Sequence, residues 1–148
     1  MSNRLATRIG LPVAEERPAD AFDLVAFEEP AIGSIARTKG SLFLLVQLTG
    51  GTPQLQRAAR EAMDGLQRDY YYDLSAGVLQ ALSRSLASAN RRLYHKRRKL
   101  AIPRRSGVSI VALVIRGREA HVAKLGPASA VVVRDGRMYE VPPPPAVR

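Results

Sequence analysis

The chain contains no cysteine. Disulfide cross-links, thiol nucleophiles and cysteine-ligated zinc are therefore excluded at the outset. Nor does any apolar run approach the roughly 20 residues that a helix needs to cross a bilayer. The first eighteen residues hold Arg4 and Arg8 but no apolar stretch of the secretory kind, and Glu15 and Glu16 lie among them. These absences predict a soluble, cytoplasmic protein with no membrane partner. Acidic side chains are missing from one long stretch. Between Asp73 and Glu119 there is none, whereas eleven Lys and Arg residues stand there. The formal net charge of +10 is thus concentrated in one segment, which bears on partners.

What is present suits a single domain, since 148 residues are enough for one core and few for two. Residues 1–19 show mixed polarity and no sustained period, and read as a flexible leader. Phe22–Phe27 alternates as a strand. Ser41–Gln47 is apolar on both faces and reads as a strand buried on both sides. Thr52 and Pro53 then supply a cap and first turn. Leu55, Ala58, Ala59, Ala62, Met63 and Leu66 follow at helical spacing. Asp73 and Ser75 are candidate caps for a second helix with the stripe Leu79, Leu82, Leu86, Ala89 and Leu93, which must end before Pro103. Tyr70, Tyr71 and Tyr72 fall at the expected turn between the helices, where packing is their ordinary use.

Strand signals fill the last third: Val108–Arg116, Glu119–Leu125, Ala128–Arg134 and Arg137–Val141, with Asp135-Gly136 as a two-residue hairpin turn. Residues 142–148, opening on four prolines, read as a Pro-rich tail or linker. Both faces of Val108–Arg116 are apolar, yet two helices cover only one face of a sheet. A second cover is therefore expected from another subunit or from further sequence.

The order of these parts carries a resemblance. Ser41 to Gly51, the helix pair, Gly107-Val108-Ser109, Val122-Ala123, Gly126 and Arg134-Asp135-Gly136-Arg137 together resemble the N-terminal half of a metal-dependent (PPM-type, type 2C) serine/threonine protein phosphatase domain, over about residues 20–141. The resemblance implies an α+β fold: a mostly antiparallel β-sheet with an antiparallel helix pair on one face, half of a phosphatase-type αββα sandwich. It also implies manganese or magnesium as the family's cofactor, with the metal activating a water for attack on a phosphoester. Set against the family's motifs, this sequence departs at three places. Ala19-Asp20 stands where the family has Glu-Asp, leaving Asp20 as the one remnant. Gln47 stands where a bridging aspartate would head Asp-Gly-x-Gly-Gly. Gly126-Pro127-Ala128-Ser129 stands for Gly-Asp-Ser-Arg, placing Pro127 at an acidic position. A neutral amide holds a hard divalent cation poorly. The expectation is a pseudoenzyme with no catalytic residue, no metal ligand set and no cofactor, acting by binding a protein partner or a second copy of itself through the uncovered sheet face.

Other residues carry functional groups of interest. Arg91, Arg92, Lys96, Arg97, Arg98, Lys99, Arg104 and Arg105 are candidates for binding a polyanion such as nucleic acid, with a salt-dependence slope of about −5 to −7 if most of them meet phosphates. The plainer reading is a solvated helix end, where cations also suit the helix dipole. His95 and His121 have no spaced partner ligands for a metal. Ser109 with His121 does not amount to a catalytic triad, and Glu28-Glu29 reads as a charged loop.

Overall fold

The structure, a computed structural model, describes residues 8, 10, 22–28, 38–50, 52–74, 77–103 and 106–141, with the 22–28 strand described by its backbone. Asp20, Ser75, Arg104, Arg105, the 142–148 tail and all of the leader but positions 8 and 10 lie outside these residues. In chain order the elements are β1 (Phe22–Glu28), β2 (Ser41–Thr49), α1 (Pro53–Tyr72), α2 (Val78–Lys99), β3 (Gly107–Arg116), β4 (Glu119–Leu125), β5 (Val131–Arg134) and β6 (Arg137–Glu140).

Strands β1 to β4 form one sheet in sequence order, every neighbour antiparallel. The helix pair connects β2 to β3 and lies on one face. Alternation in β2 sends Leu42, Leu44, Val46 and Leu48 into the core, where they meet Ile110, Ala112 and Val114 of β3. Helix α1 adds Leu55, Ala58, Ala59, Ala62, Met63 and Leu66, all buried as the spacing predicts. Its start is the expected one: Thr52 Oγ1 accepts the Leu55 amide at 3.2 Å and Pro53 occupies the first turn.

The second helix is phased differently from the sequence expectation. Asp73 closes α1, its amide donating to the Asp69 carbonyl, and the residue before α2 is Gly77, which offers no side-chain cap. The buried stripe is Val78, Ala81, Leu82, Ser85, Leu86, Ala89 and Leu93, and Leu79 is 56% exposed. Val78 takes the place assigned to Leu79, because residues 78, 82, 85, 89 and 93 return to one face over successive turns. Nor do the tyrosines form a turn. They are the last three residues of α1, held there by Tyr70 and Tyr71, whose hydroxyls bond to the chain just before β2.

The other sheet face is open among the described residues. Register pairs Phe43 with Leu113, Leu45 with Val111, and Leu113 with Val122. Leu45 is 46% exposed and the other four are half-buried. The expectation that β2 is buried on both sides therefore holds on the helix side only.

The final hairpin does not extend this sheet. Gly126 has φ +78°, and Pro127, with no amide to donate, follows it. The chain regains strand geometry only at Val131, so β5 is shorter than the expected Ala128–Arg134. β5 and β6 form a separate two-stranded ribbon joined by Asp135-Gly136, both at positive φ as a tight hairpin turn demands. Val131, Val132, Val133, Met138 and Tyr139 are all exposed on it.

Candidate functional site

Two of the three positions singled out in the sequence, Gln47 and Gly126-Pro127, lie near the end of the sheet where β2 leaves for α1; the third, Ala19-Asp20, lies outside the described residues. Gln47 is exposed on the open face and pairs in register with Ser109 on one side and Asp23 on the other. Gly126 packs over β3 here: a Cβ on it would stand 3.0 Å from the Val108 carbonyl and 3.2 Å from Ser109 Oγ. Beside it, Ser106 Oγ donates to the Gly50 carbonyl at 2.9 Å, and Arg97 Nη2 donates to the Ser106 carbonyl at 2.7 Å. The chain is thus closely packed at this end of the sheet, with a glycine where it passes β3. The described polar side chains at this end of the sheet include Gln47, Thr49, Ser106 and Ser109, all neutral. Pro127 has no ligating side chain. Asp23 gives no signal in the sequence, since it falls inside a strand pattern. Only the pairing of β1 with β2 brings its position beside Gln47.

A polar cluster occupies the opposite end of the sheet. Tyr70 is fully buried and its hydroxyl donates to the Lys39 carbonyl at 2.5 Å. The Lys39 ammonium lies over the Tyr70 ring, 5.1 Å from its centre, and donates to the Asp73 carbonyl. Burial lowers the Lys39 pKa, and the Asp73 charge opposes that shift. Burial likewise pushes the Tyr70 phenol up to about 12, with Arg116 pulling the other way. Tyr71 accepts the Leu42 amide and donates to the Gly40 carbonyl, each at 3.1 Å. Glu119 is held below the usual carboxylate range by hydrogen bonds from Arg116 and then His121. The Tyr70, Tyr71 and Lys39 contacts fasten the end of α1 to the start of β2, and the Glu119 contacts lie within the β3–β4 hairpin. His121 is thereby placed with Glu119 at 3.3 Å, far in role from any triad.

The described basic candidates have different partners. Arg92 Nη2 pairs with Asp69 Oδ2 at 2.8 Å, and Lys96 Nζ with Glu61 Oε2 at 3.0 Å, both across the helix seam. Arg97 ties the α2–β3 connection together through the Pro103 and Ser106 carbonyls. Arg98 lies over the Tyr94 ring at 5.9 Å. Arg91, Arg98 and Lys99 face solvent.

Among solved structures, the chain is similar in fold to a serine/threonine phosphatase. The match is to PstP/Ppp of Mycobacterium tuberculosis, with a TM-score of 0.55 at 15% identity, covering 82% of this chain and 53% of that one. The chain therefore spans about half the length of that phosphatase. At this identity the likeness concerns the fold: an α+β arrangement of antiparallel strands and a helix pair consistent with part of a phosphatase fold. No family model and no curated protein matches the sequence.

The sequence resemblance raised the expectation of a family that uses a divalent cation. Among the described residues no three His, Asp or Glu side chains converge as ligands. Manganese and magnesium are held by several hard, mostly anionic oxygens; Gln47 and Ser109 supply neutral groups only, and Asp20 and the Asp23 side chain lie outside the described residues.

Proposed function

We propose that the protein is a non-catalytic, pseudophosphatase-like interaction or regulatory domain that keeps a phosphatase scaffold for protein binding. The observation that carries this reading is the substitution of Gln47 and Pro127 on a backbone that otherwise closes the site as tightly as Gly126 and Ser106 do. Apolar surface supports the binding half of the reading. The open sheet face around Leu45 and the exposed ribbon of Val131–Glu140 present valine, leucine, methionine and tyrosine side chains to solvent, and contiguous apolar surface of this kind marks interaction sites. A protein partner, or a second copy of the chain, is the occupant this reading assigns to the sheet face, in a signalling role.

The likeness, which takes in 53% of that phosphatase, favours a second reading, in which a residual manganese- or magnesium-dependent phosphatase is completed by a further half or partner. Calorimetric titration with manganese, followed by hydrolysis of p-nitrophenyl phosphate, separates the two. The first reading expects no saturable heat at millimolar metal and no metal-dependent turnover. Saturable binding that is lost in Asp20→Asn or Asp23→Asn, with turnover, would overturn it. A third reading, a basic nucleic-acid module, draws on Arg91, Arg98 and Lys99 at the end of α2. It expects Arg97→Ala with Arg98→Ala to abolish salt-dependent retention on an anionic column.

A further inference from the structure

The outer face of α2 passes beside the ends of β3 and β4, away from the open sheet face. A hollow of about 210 Å³ lies there, between Asn90, Tyr94 and Arg97 of the helix and Val108, Leu125 and Gly126 of the sheet end. Its apolar surfaces are reachable: Tyr94 is 57% exposed, and Val108 and Leu125 are half-buried. Gly126 brings no side chain to fill it. The hollow is smaller than the roughly 300–1,000 Å³ of sites for drug-sized molecules, and suits one planar ring. Among the described residues its lining holds no carboxylate.

The cations beside it are placed for phosphates. Arg91 and Arg98 are exposed and lie two turns apart on the same helix face, with Tyr94 between them. Among the described residues neither is paired with a carboxylate, in contrast to Arg92 and Lys96 on the helix seam. Arg98 lies over the Tyr94 ring, 5.9 Å from its centre, which joins a cation to the aromatic surface. Asn90, one turn before Tyr94 and also exposed, offers an amide with both donor and acceptor. Arg97 is committed to the Pro103 and Ser106 carbonyls and acts as a wall. A solvated helix end accounts for the charges. It does not account for a ring-sized hollow with an exposed tyrosine and an amide at its mouth.

We propose that this face binds single-stranded nucleic acid, with one base entering the hollow against Tyr94. The proposal rests on the third reading above for its phosphate contacts, and adds the base site. Asn90 meets the edge of the base, and Arg91 and Arg98, about 10 Å apart along the helix axis, take phosphates on either side. That spacing suits a strand better than a lone nucleotide. A duplex keeps its bases stacked and paired, and so leaves the hollow unfilled.

The test is fluorescence anisotropy of the full chain with a fluorescein-labelled oligothymidylate, with unlabelled duplex of the same length and thymidine monophosphate as competitors. Saturable binding of the single strand is expected, with both competitors far weaker. Tyr94→Ala weakens it about tenfold, whereas Tyr94→Phe keeps it within about twofold. Arg91→Ala/Arg98→Ala lowers the slope of log affinity against log salt by about 1.4. Arg57→Ala/Arg118→Ala, the same charge lost elsewhere, leaves the affinity within about threefold. No saturable binding overturns both this inference and the third reading. Undiminished binding by Tyr94→Ala, or equal binding of duplex, overturns the base site alone and leaves a general polyanion surface. Equal competition by the monophosphate overturns the assignment to a strand. None of these variants touches the sheet face, so failure here is distinguishable from failure of a role for that face.

Discussion

Tyr70 concentrates several of the forces in this molecule on one side chain. Its ring is fully buried and its hydroxyl satisfies the Lys39 carbonyl, so removing the hydroxyl in Tyr70→Phe leaves a buried acceptor unpaired and costs about 1–2 kcal/mol in urea denaturation. The same residue sets an alkaline limb. The unfolded phenol titrates near 10.0 and the folded one at about 12. Between those values the unfolded chain has released a proton that the native chain still holds, so stability falls as pH rises. The loss attributable to Tyr70 approaches about 2 kcal/mol by the upper end of that window. Denaturation of wild type and Tyr70→Phe across the window should therefore converge. Parallel curves would show that the phenol titrates alike in both states. Gly126 is the other residue with a definite expectation. At φ +78°, with the Val108 carbonyl 3.0 Å from where a Cβ would be, Gly126→Ala combines backbone strain with a close contact, and costs about 2–3 kcal/mol by thermal melting.

At the scale of elements, the phase of α2 is the point most open to test. Leu82 is fully buried in the core and Leu79 is mostly exposed, although they are three residues apart on the same helix. Leu82→Ala should cost about 2–5 kcal/mol by cavity formation, and Leu79→Ala less than about 0.5 kcal/mol. Equal effects would mean that the stripe runs through Leu79 after all. The β5–β6 ribbon lies at the other extreme. Two strands alone are marginal in water, and every residue of this pair is exposed. Amide exchange should be fast throughout Val131–Glu140 and slow in β2 and β3, whose Leu44 and Ala112 pair in the buried centre of the sheet. Protection of the ribbon equal to that of β2 would mean that it is already covered.

Considered as a whole molecule, the chain has a core on one side of its sheet and apolar surface on the other. Self-association through the open face would bury Leu45 and its neighbours. Sedimentation should then find a dimer that Leu45→Lys converts to monomer without loss of helical circular dichroism. A monomer at high concentration would remove self-pairing and leave a different protein as the occupant. None of the helices is long and apolar enough to cross a membrane, among the described residues.

Features of this fold that were legible in the sequence are local ones. The Thr52-Pro53 start, the α1 stripe, the Asp135-Gly136 turn and the β4 bounds follow from interactions within a few residues of each other, which spacing and turn chemistry report directly. The two-sided apolar pattern of β3 raised the expectation of a cover on each face, and among the described residues only the helix side has one. What spacing could not report was partnership across the chain. Arg92, Lys96 and Arg97 read as one basic run, yet their neighbours Asp69, Glu61 and the Ser106 carbonyl divide them among separate tasks. Asp23 gained interest only when β1 paired with β2, and the last hairpin left the sheet because Gly126 and Pro127 broke the path of strand pairing. By itself the sequence determined the elements and the absence of acidic groups at Gln47 and Pro127, since composition and local propensity act residue by residue. Tertiary structure alone decided which cations are neutralised and, among the described residues, which apolar face stays open, because each depends on what packing brings near from elsewhere in the chain.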